Sequence, residues 1–465
     1  MEEQLQIEAS VFEHKRRVIS FVSLGLLLCS MNLGFFFFAM PIISTHLKLN
    51  WSLVSWSLVF YFVVIATSLN FFRQAATHHG GIRILRLGFI LFGLGSLLCA
   101  FSEGWIDLLI FRCVQALGAA CLQATIFGLF IEYVPLKGYP VAVHRASFML
   151  YFGLLLGFLL GGVSAQWFSW RFGFVFLAIC CVFFLISTLK IQESVKGNQP
   201  RYDFFGAVLF LIIVSSFLSG LVLSSHEAIH LNVSHLLFLI AVMGLIIFFV
   251  YESNRKPPFM ELSFYRSFGF SLVMCAKLTH SLVTTIFLIT PAMYLFYLKS
   301  HRIFVSMLIA MIPALGITLS SIIESGIKKK GAVFYGMAVV FFVVPVMCFC
   351  WMKPLGLDVF AVCVLFMFGL GSGALQQMLM RTTFEILQEP APLVGTIFRT
   401  MHNLGCALAA AITIYFMGKY GLVEMDSLST GFSYTLNLSL VLIGIVLVFA
   451  ALRALFCWLE ASKNN

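Results

Sequence analysis

Apolar runs, each about as long as a bilayer is thick, follow one another from Arg17 almost to the C-terminus, and polar residues gather in the short segments between them. A hydrocarbon core of about 30 Å takes ~20 residues of α-helix to cross. Backbone polar groups in lipid must bond within their own segment, so each run predicts a transmembrane helix. The pattern predicts fourteen, over residues 17–41, 52–72, 84–102, 106–131, 144–166, 171–190, 204–225, 235–252, 268–297, 303–322, 332–351, 356–384, 392–418 and 434–459. The fold class is therefore all-α, a polytopic membrane protein. The longest connections on one side, 191–203 and 253–267, bracket spans 7 and 8. The chain divides accordingly into an N-terminal tail (1–16), a six-helix half (17–190), an inserted pair (204–252) and a second six-helix half (268–459). The first apolar run is long and leads into Pro41 and a polar turn, so it is expected to remain as span 1 rather than be cleaved.

Composition changes the picture little. Hydrophobic residues make up 61% of the 465 and charged residues 10%, and the mean hydropathy is +1.02; soluble domains are nearer a quarter charged. Spans and short connections leave no room for a soluble catalytic domain, which points to movement of something across the membrane. The net charge of +10 would suggest a nucleic-acid partner in a soluble protein, but here the basic residues sort by side. With the N-terminus inside, twenty fall in inner segments, among them Arg16, Arg83, Arg86, Arg201, Arg266 and Lys328, against six in outer ones. The positive-inside rule then places both termini in the cytoplasm, and nucleic acid is not an expected partner. The twelve cysteines mostly lie inside apolar runs without metal-type spacing, and read as small buried residues. No Walker, H-E-x-x-H or Rossmann pattern is present, so no enzyme, catalytic residue, metal or cofactor is expected. A channel would need a continuous polar path, where this sequence has isolated polar positions.

Three basic residues remain inside spans: Arg112 in span 4, Lys277 in span 9 and Arg399 in span 13. Ionisable groups at such depth are costly unless they face protein or water, which makes them functional candidates. Lys277 with His280, and Arg399 with His402, are spaced i to i+3 and share a helix face. The acidic residues lie in tails, loops or near span ends. Asn32, Gln115, Gln123, Gln376, Gln377 and Asn403 add uncharged polar groups inside spans.

Several segments resemble one family, the major facilitator superfamily, in its fourteen-helix drug:proton antiporter branch. Arg112-Cys-Val-Gln115-Ala-Leu-Gly118-Ala-Ala120 is similar to the family's R-x-x-Q-G-x-G-A-A. Gly153, Gly157, Gly161 and Gly162 have the spacing of its G-x-x-x-G-P-x-x-G-G, with Phe158 for the proline. Trp170-Arg171-Phe172 resembles the opening of span 6, Asp203-Phe-Phe-Gly206-Ala207 that of span 7, and Pro257, Pro258 with Leu262 to Arg266 the segment before span 9. Two carboxylates of the family pattern are missing: Asn32 takes the aspartate position of span 1, whose ending Ala39-Met40-Pro41 otherwise fits, and Thr77 takes that of the segment after span 2, where Gly80, Arg83 and Arg86 are kept.

The resemblance implies two six-helix halves around a central cavity, lined by spans 1, 4, 9 and 12 with span 13 beside it. Asn32, Arg112, Lys277, His280, Gln376, Gln377 and Arg399 become the substrate-binding candidates. Proton coupling falls to His280, His402 and Arg112, because the span 1 carboxylate is absent. Gly80 and Arg83 with Gly153, Gly157, Gly161 and Gly162 form the expected gating and conformational motifs, although close helix packing alone also calls for small residues at i and i+4. A cavity with cations and no acidic partner favours an anionic or amphipathic small-molecule substrate, a drug, metabolite or siderophore. The expected protein is an exporter of the bacterial inner membrane, surrounded by the lipid bilayer and monomeric, with a periplasmic adaptor as an open alternative. A potential-driven anion uniporter, an importer and a non-transporting sensor remain the other readings.

Overall fold

The computed structural model describes residues 2–49, 51–133, 139–189, 191, 202–224, 231–255, 258–298, 303–326, 332–351, 359–387, 391–419 and 438. Its helices are α1 (Glu2–His46), α2 (Trp51–His79), α3 (Gly81–Ala100), α4 (Trp105–Tyr133), α5 (Tyr139–Trp167), α6 (Trp170–Thr188), α7 (Phe204–Leu223), α8 (Leu231–Ser253), α9 (Phe268–Leu298), α10 (Ile303–Ala310), α11 (Ile312–Gly326), α12 (Ala332–Trp351), α13 (Val359–Leu387) and α14 (Ala391–Lys419). A short 3-10 turn, Leu262–Arg266, precedes α9. Among the described residues twelve helices are long and apolar enough to cross a membrane, and Gly336–Cys348 in α12 is a shorter apolar stretch. The expected span 434–459 lies outside the described residues, apart from Leu438.

Boundaries differ from the sequence reading where no residue stops a helix. The tail continues α1 from Glu2, since neither Gly nor Pro interrupts it before Gly25. The segment after span 2 is helical to His79 and ends at Gly80, whose φ of 98° suits only glycine. Span 10 is split: Pro313 has no N–H to give to the preceding turn, and α11 starts afresh beside it.

One bundle packs α1 on α5 and α4, α2 and α3 on α4, and α6 on α3; the other packs α11 and α12 on α13, with α9 between α13 and α14. The bundles meet where α14 touches α2 and α4, where α10 and α11 touch α5, and where α1 touches α9. The α7–α8 pair lies outside both, with α7 against α2 and α14. Polar ties hold α7 to α2: Gln74 Oε1 accepts from the Asp203 amide at 3.1 Å, while Asp203 Oδ1 caps α7 through Gly206 N at 2.8 Å and accepts from Tyr251 Oη at 2.7 Å.

Burial follows the solvent. Ile179, Phe183 and Val250 are more than half exposed and give α6 and α8 apolar outer faces that suit lipid. Buried hydroxyls return their hydrogen to the preceding turn, as in Thr67 Oγ1 to Val63 O (2.9 Å) and Ser96 Oγ to Phe92 O (2.7 Å). Gly153, Gly157 and Gly161 bring α5 onto α1: a Cβ on Gly157 would sit 2.8 Å from Phe35 N, and one on Gly153 2.9 Å from Leu27 Cα. Gly162 faces Met307 of α10 instead. These four therefore set helix contacts, three inside one bundle and one across to the other.

Candidate functional site

A cavity of about 90 Å³, room for a few water molecules, lies where the bundles meet. Its two walls differ. From α1, α2 and α5 come Ser30, Leu33, Phe37, Phe62, Leu150, Tyr151 and Leu154, which are mainly apolar. From α9, α13 and α14 come His280, Thr284, Thr285, Ser372, Gln376, His402 and Cys406, which carry most of the hydrogen-bonding groups.

The polar side carries two hydrogen-bonded groups, one around Lys277 and His402 and one around His280. Lys277 Nζ donates to Gln376 Oε1 and lies 3.2 Å from His402 Nδ1, joining α9, α13 and α14. Ser281 Oγ donates to Lys277 O at 2.8 Å and stands 2.9 Å from the same His402 nitrogen. That nitrogen has two mutually exclusive uses: protonated, it donates to Ser281; unprotonated, it accepts from Lys277. His280 Nε2 faces Ser372 at both O (3.0 Å) and Oγ (3.1 Å), Thr284 Oγ1 lies 2.9 Å from Ser372 Oγ, and the imidazole stacks on Phe342. Phe398 lies under the Lys277 ammonium at 4.8 Å. Thr285 Oγ1 donates to Cys406 Sγ at 3.1 Å.

Lys277 is 0% exposed, so its stem does not carry the amine out to a membrane surface. Arg399, one turn before His402, is buried within electrostatic reach of Tyr151, Cys29 and Cys406. Among the described residues no carboxylate bonds to Lys277, Arg399 or either histidine; the described ion pair Arg381–Glu324 (3.1 Å) joins the ends of α13 and α11, where Arg381 is 45% exposed.

The structure brings Lys277, His280, Gln376 and His402 together and sets Arg399 beside them. It does not bring Asn32 and Arg112 to this cavity. Both are completely buried inside the first bundle, where Arg112 Nη1 donates to Asn32 Oδ1 (2.9 Å) and Gln115 Oε1 (2.5 Å). The lining role expected of α4 therefore passes to α2 and α5, because Arg112 and Gln115 turn toward α1 and α3, where Gln115 donates to Ser96 (2.7 Å). Gln377 is buried without lining this cavity, its Nε2 unpartnered. Gln123 of α4 instead accepts from Asn403 of α14 at 3.3 Å, a polar tie across the two bundles. Gly80 and Arg83 stand at the α2–α3 junction, away from the cavity.

Sequence reasoning passed over Ser281, Thr284, Cys406 and Ser372. Three of these had a signal: Ser281, Thr284 and Cys406 each follow Lys277, His280 and His402 by four residues, on the same helix face. Ser372 had none, since only the folded chain sets α13 against α9.

A pair of helical bundles closing on a buried cavity with one apolar and one hydrogen-bonding wall, and with apolar faces turned outward, defines a multi-pass membrane protein of the transporter type. The sequence model described as Major Facilitator Superfamily matches residues 22–410, and the chain belongs to that family. Among its relatives are the riboflavin transporter RibZ of Clostridioides difficile (24% identity, covering 55% of each chain), multidrug resistance protein 3 of Bacillus subtilis (24%, covering 46% of this chain and 42% of that protein) and the putative multidrug resistance protein MdtD of Escherichia coli (26%, 46% of each). The chain spans about half the length of the curated relatives it matches. A solved structure with a similar fold is the bacterial homologue of the human lysosomal transporter Spinster, inward-facing and unoccupied, with a TM-score of 0.58 at 13% identity over 94% of this chain and 96% of that one.

Proposed function

We propose that this protein is a secondary transporter that exports a small amphipathic molecule bearing an anionic group, by alternating access and with proton coupling. One observation carries the reading: the cavity has an apolar wall from one bundle and, from the other, a wall holding His280, Gln376 and His402, with Lys277 buried directly behind Gln376 and His402 and no described carboxylate bonded to any of them. An aromatic or aliphatic body suits the first wall, and a carboxylate or comparable anion suits the second. A lipophilic cation would meet uncompensated like charge there. The relatives, multidrug and riboflavin transporters by name, agree with a small-molecule cargo and leave the compound open between drug, metabolite and siderophore. The organisation we propose keeps fourteen spans, with 434–459 as the last and 204–252 as an inserted pair, in the inner membrane of a bacterium with both termini cytoplasmic, as a monomer.

His402 is the group we assign to the proton. Its Nδ1 either accepts from Lys277 or donates to Ser281, so protonation releases Lys277 from His402 and leaves it held by Gln376 alone. One proton crossing 100 mV releases about 2.3 kcal/mol, enough for a gradient between tenfold and a hundredfold in a neutral exchange partner.

The test uses purified protein in proteoliposomes and three fluorescent probes that share one aromatic body and carry a carboxylate, no charge or a quaternary amine. The anionic probe is expected to cross at least about tenfold faster than the cationic one, the equivalent of ~1.4 kcal/mol, and its flux should respond to a pH step at fixed voltage. Preference for the cation overturns the substrate class. Indifference to the pH step leaves potential-driven uniport in place of proton coupling.

A further inference from the structure

A second charged site lies in the first bundle, away from the cavity. Arg112 of α4 is 0% exposed, and so are Asn32 of α1 and Tyr61 of α2, which touch it. The guanidinium is sandwiched between two rings, 4.0 Å from the Phe36 centroid and 4.2 Å from that of Tyr61. Nη1 is used up on Asn32 Oδ1 and Gln115 Oε1. Arg112 Nε and Nη2 are buried without a partner, and Asn32 Nδ2 and Tyr61 Oη, which lie within reach of each other, have no other one. Every one of these atoms can donate a hydrogen bond, and three of them can do nothing else.

Orphaned donors alone call for water. Charge is what decides the occupant. A guanidinium does not give up its proton in a protein, and among the described residues no carboxylate bonds to Arg112; the groups acting on it electrostatically are Tyr61, Cys99 and Cys113. A buried ion is tolerated when paired and hydrogen-bonded, which ring faces and water do only in part. Asn32 has the shape of a carboxylate without its charge, so the chain presents an aspartate-sized side chain to the arginine and leaves the negative charge to come from elsewhere.

We propose that Arg112, Asn32 and Tyr61 form a binding site for a small inorganic anion of chloride size, which neutralises the first bundle and is separate from the transported substrate. Arg112 Nε and Nη2 hold the anion along the guanidinium edge, and Asn32 Nδ2 and Tyr61 Oη complete the donor set. The anion is structural: it binds the folded chain and stabilises it by mass action.

The experiment measures thermal unfolding of the detergent-purified full chain in sodium chloride against sodium gluconate at equal ionic strength, for the wild type and three variants. The wild type is expected to melt roughly 3 °C or more higher in chloride, with bromide substituting for chloride. Asn32→Asp supplies the charge from the chain, so it should melt in gluconate at least as high as the wild type does in chloride and should lose the chloride response. Tyr61→Phe removes one donor and should raise the chloride concentration of the half-maximal shift severalfold. Lys277→Gln, at the other site, should keep the full response even as it lowers transport, which separates failure of this proposal from failure of the substrate assignment. A wild-type melting point indifferent to chloride, or an undiminished chloride response in Asn32→Asp, overturns the site and leaves water as the occupant.

Discussion

Replacing Lys277 with glutamine should lower the transport of an anionic substrate by tenfold to about a hundredfold without harming the fold. Hydrogen bonds to a charged group contribute about 1.5–3 kcal/mol, which corresponds to that range of affinity. Glutamine is long enough to keep a polar contact with Gln376 and His402, so what is lost is the charge. Lys277 is completely buried and bonds to no described carboxylate, and removal of an uncompensated buried cation relieves its desolvation. The melting temperature of the variant should therefore stay level or rise while transport falls. This opposition distinguishes a substrate-binding lysine from a structural one, whose loss would lower both. Initial rates in proteoliposomes and a melting curve in detergent suffice to read it. A variant that transports the anion at the wild-type rate removes Lys277 from the site.

The largest loss of stability should come from a position with no chemistry. Gly157→Val would push a branched side chain into the backbone of α1, where even a Cβ meets Met31 O and comes 2.8 Å from Phe35 N. Neither neighbour is a side chain that can rotate away, so α1 and α5 must separate along the most extensive helix contact of the first bundle. Overpacking of a core generally costs about 1–3 kcal/mol, and here the obstruction is main chain, which puts the cost at or above the top of that range. The variant should be recovered as aggregate, or not at all, on size-exclusion chromatography. Gly161→Ala meets the Phe38 Cβ at 3.1 Å and should be milder, and Gly128→Ala, with nothing within 4 Å, should behave as wild type.

Much of the architecture was legible because lipid imposes one rule on every span: long apolar runs become helices, and the interruptions that matter are Gly80, Pro313 and the charged connections. Less of the site was legible. The i to i+3 spacing of Lys277 with His280 and of Arg399 with His402 predicts a shared helix face for each pair, but no local pattern says that Lys277 meets His402 across two helices. Arg112 misled for the opposite reason. A charge in mid-span reads as a cavity group, yet its side chain turns into the first bundle, to Asn32, Gln115 and two aromatic rings. Helix rotation decided that outcome, and rotation is set by packing contacts such as Gly95 and Gly118, which let α3 and α4 touch main chain to main chain.

The placement of α7 has a mechanical meaning. It rests on α2 of one bundle and α14 of the other, and its start is stitched to α2 through Gln74 and Asp203. Under the alternating access proposed above, α7 and its companion α8 are expected to travel with α2, so that the sliding falls on the seam with α14. A cross-link placed in that seam would act as a brake on turnover, leaving the cargo pocket itself untouched.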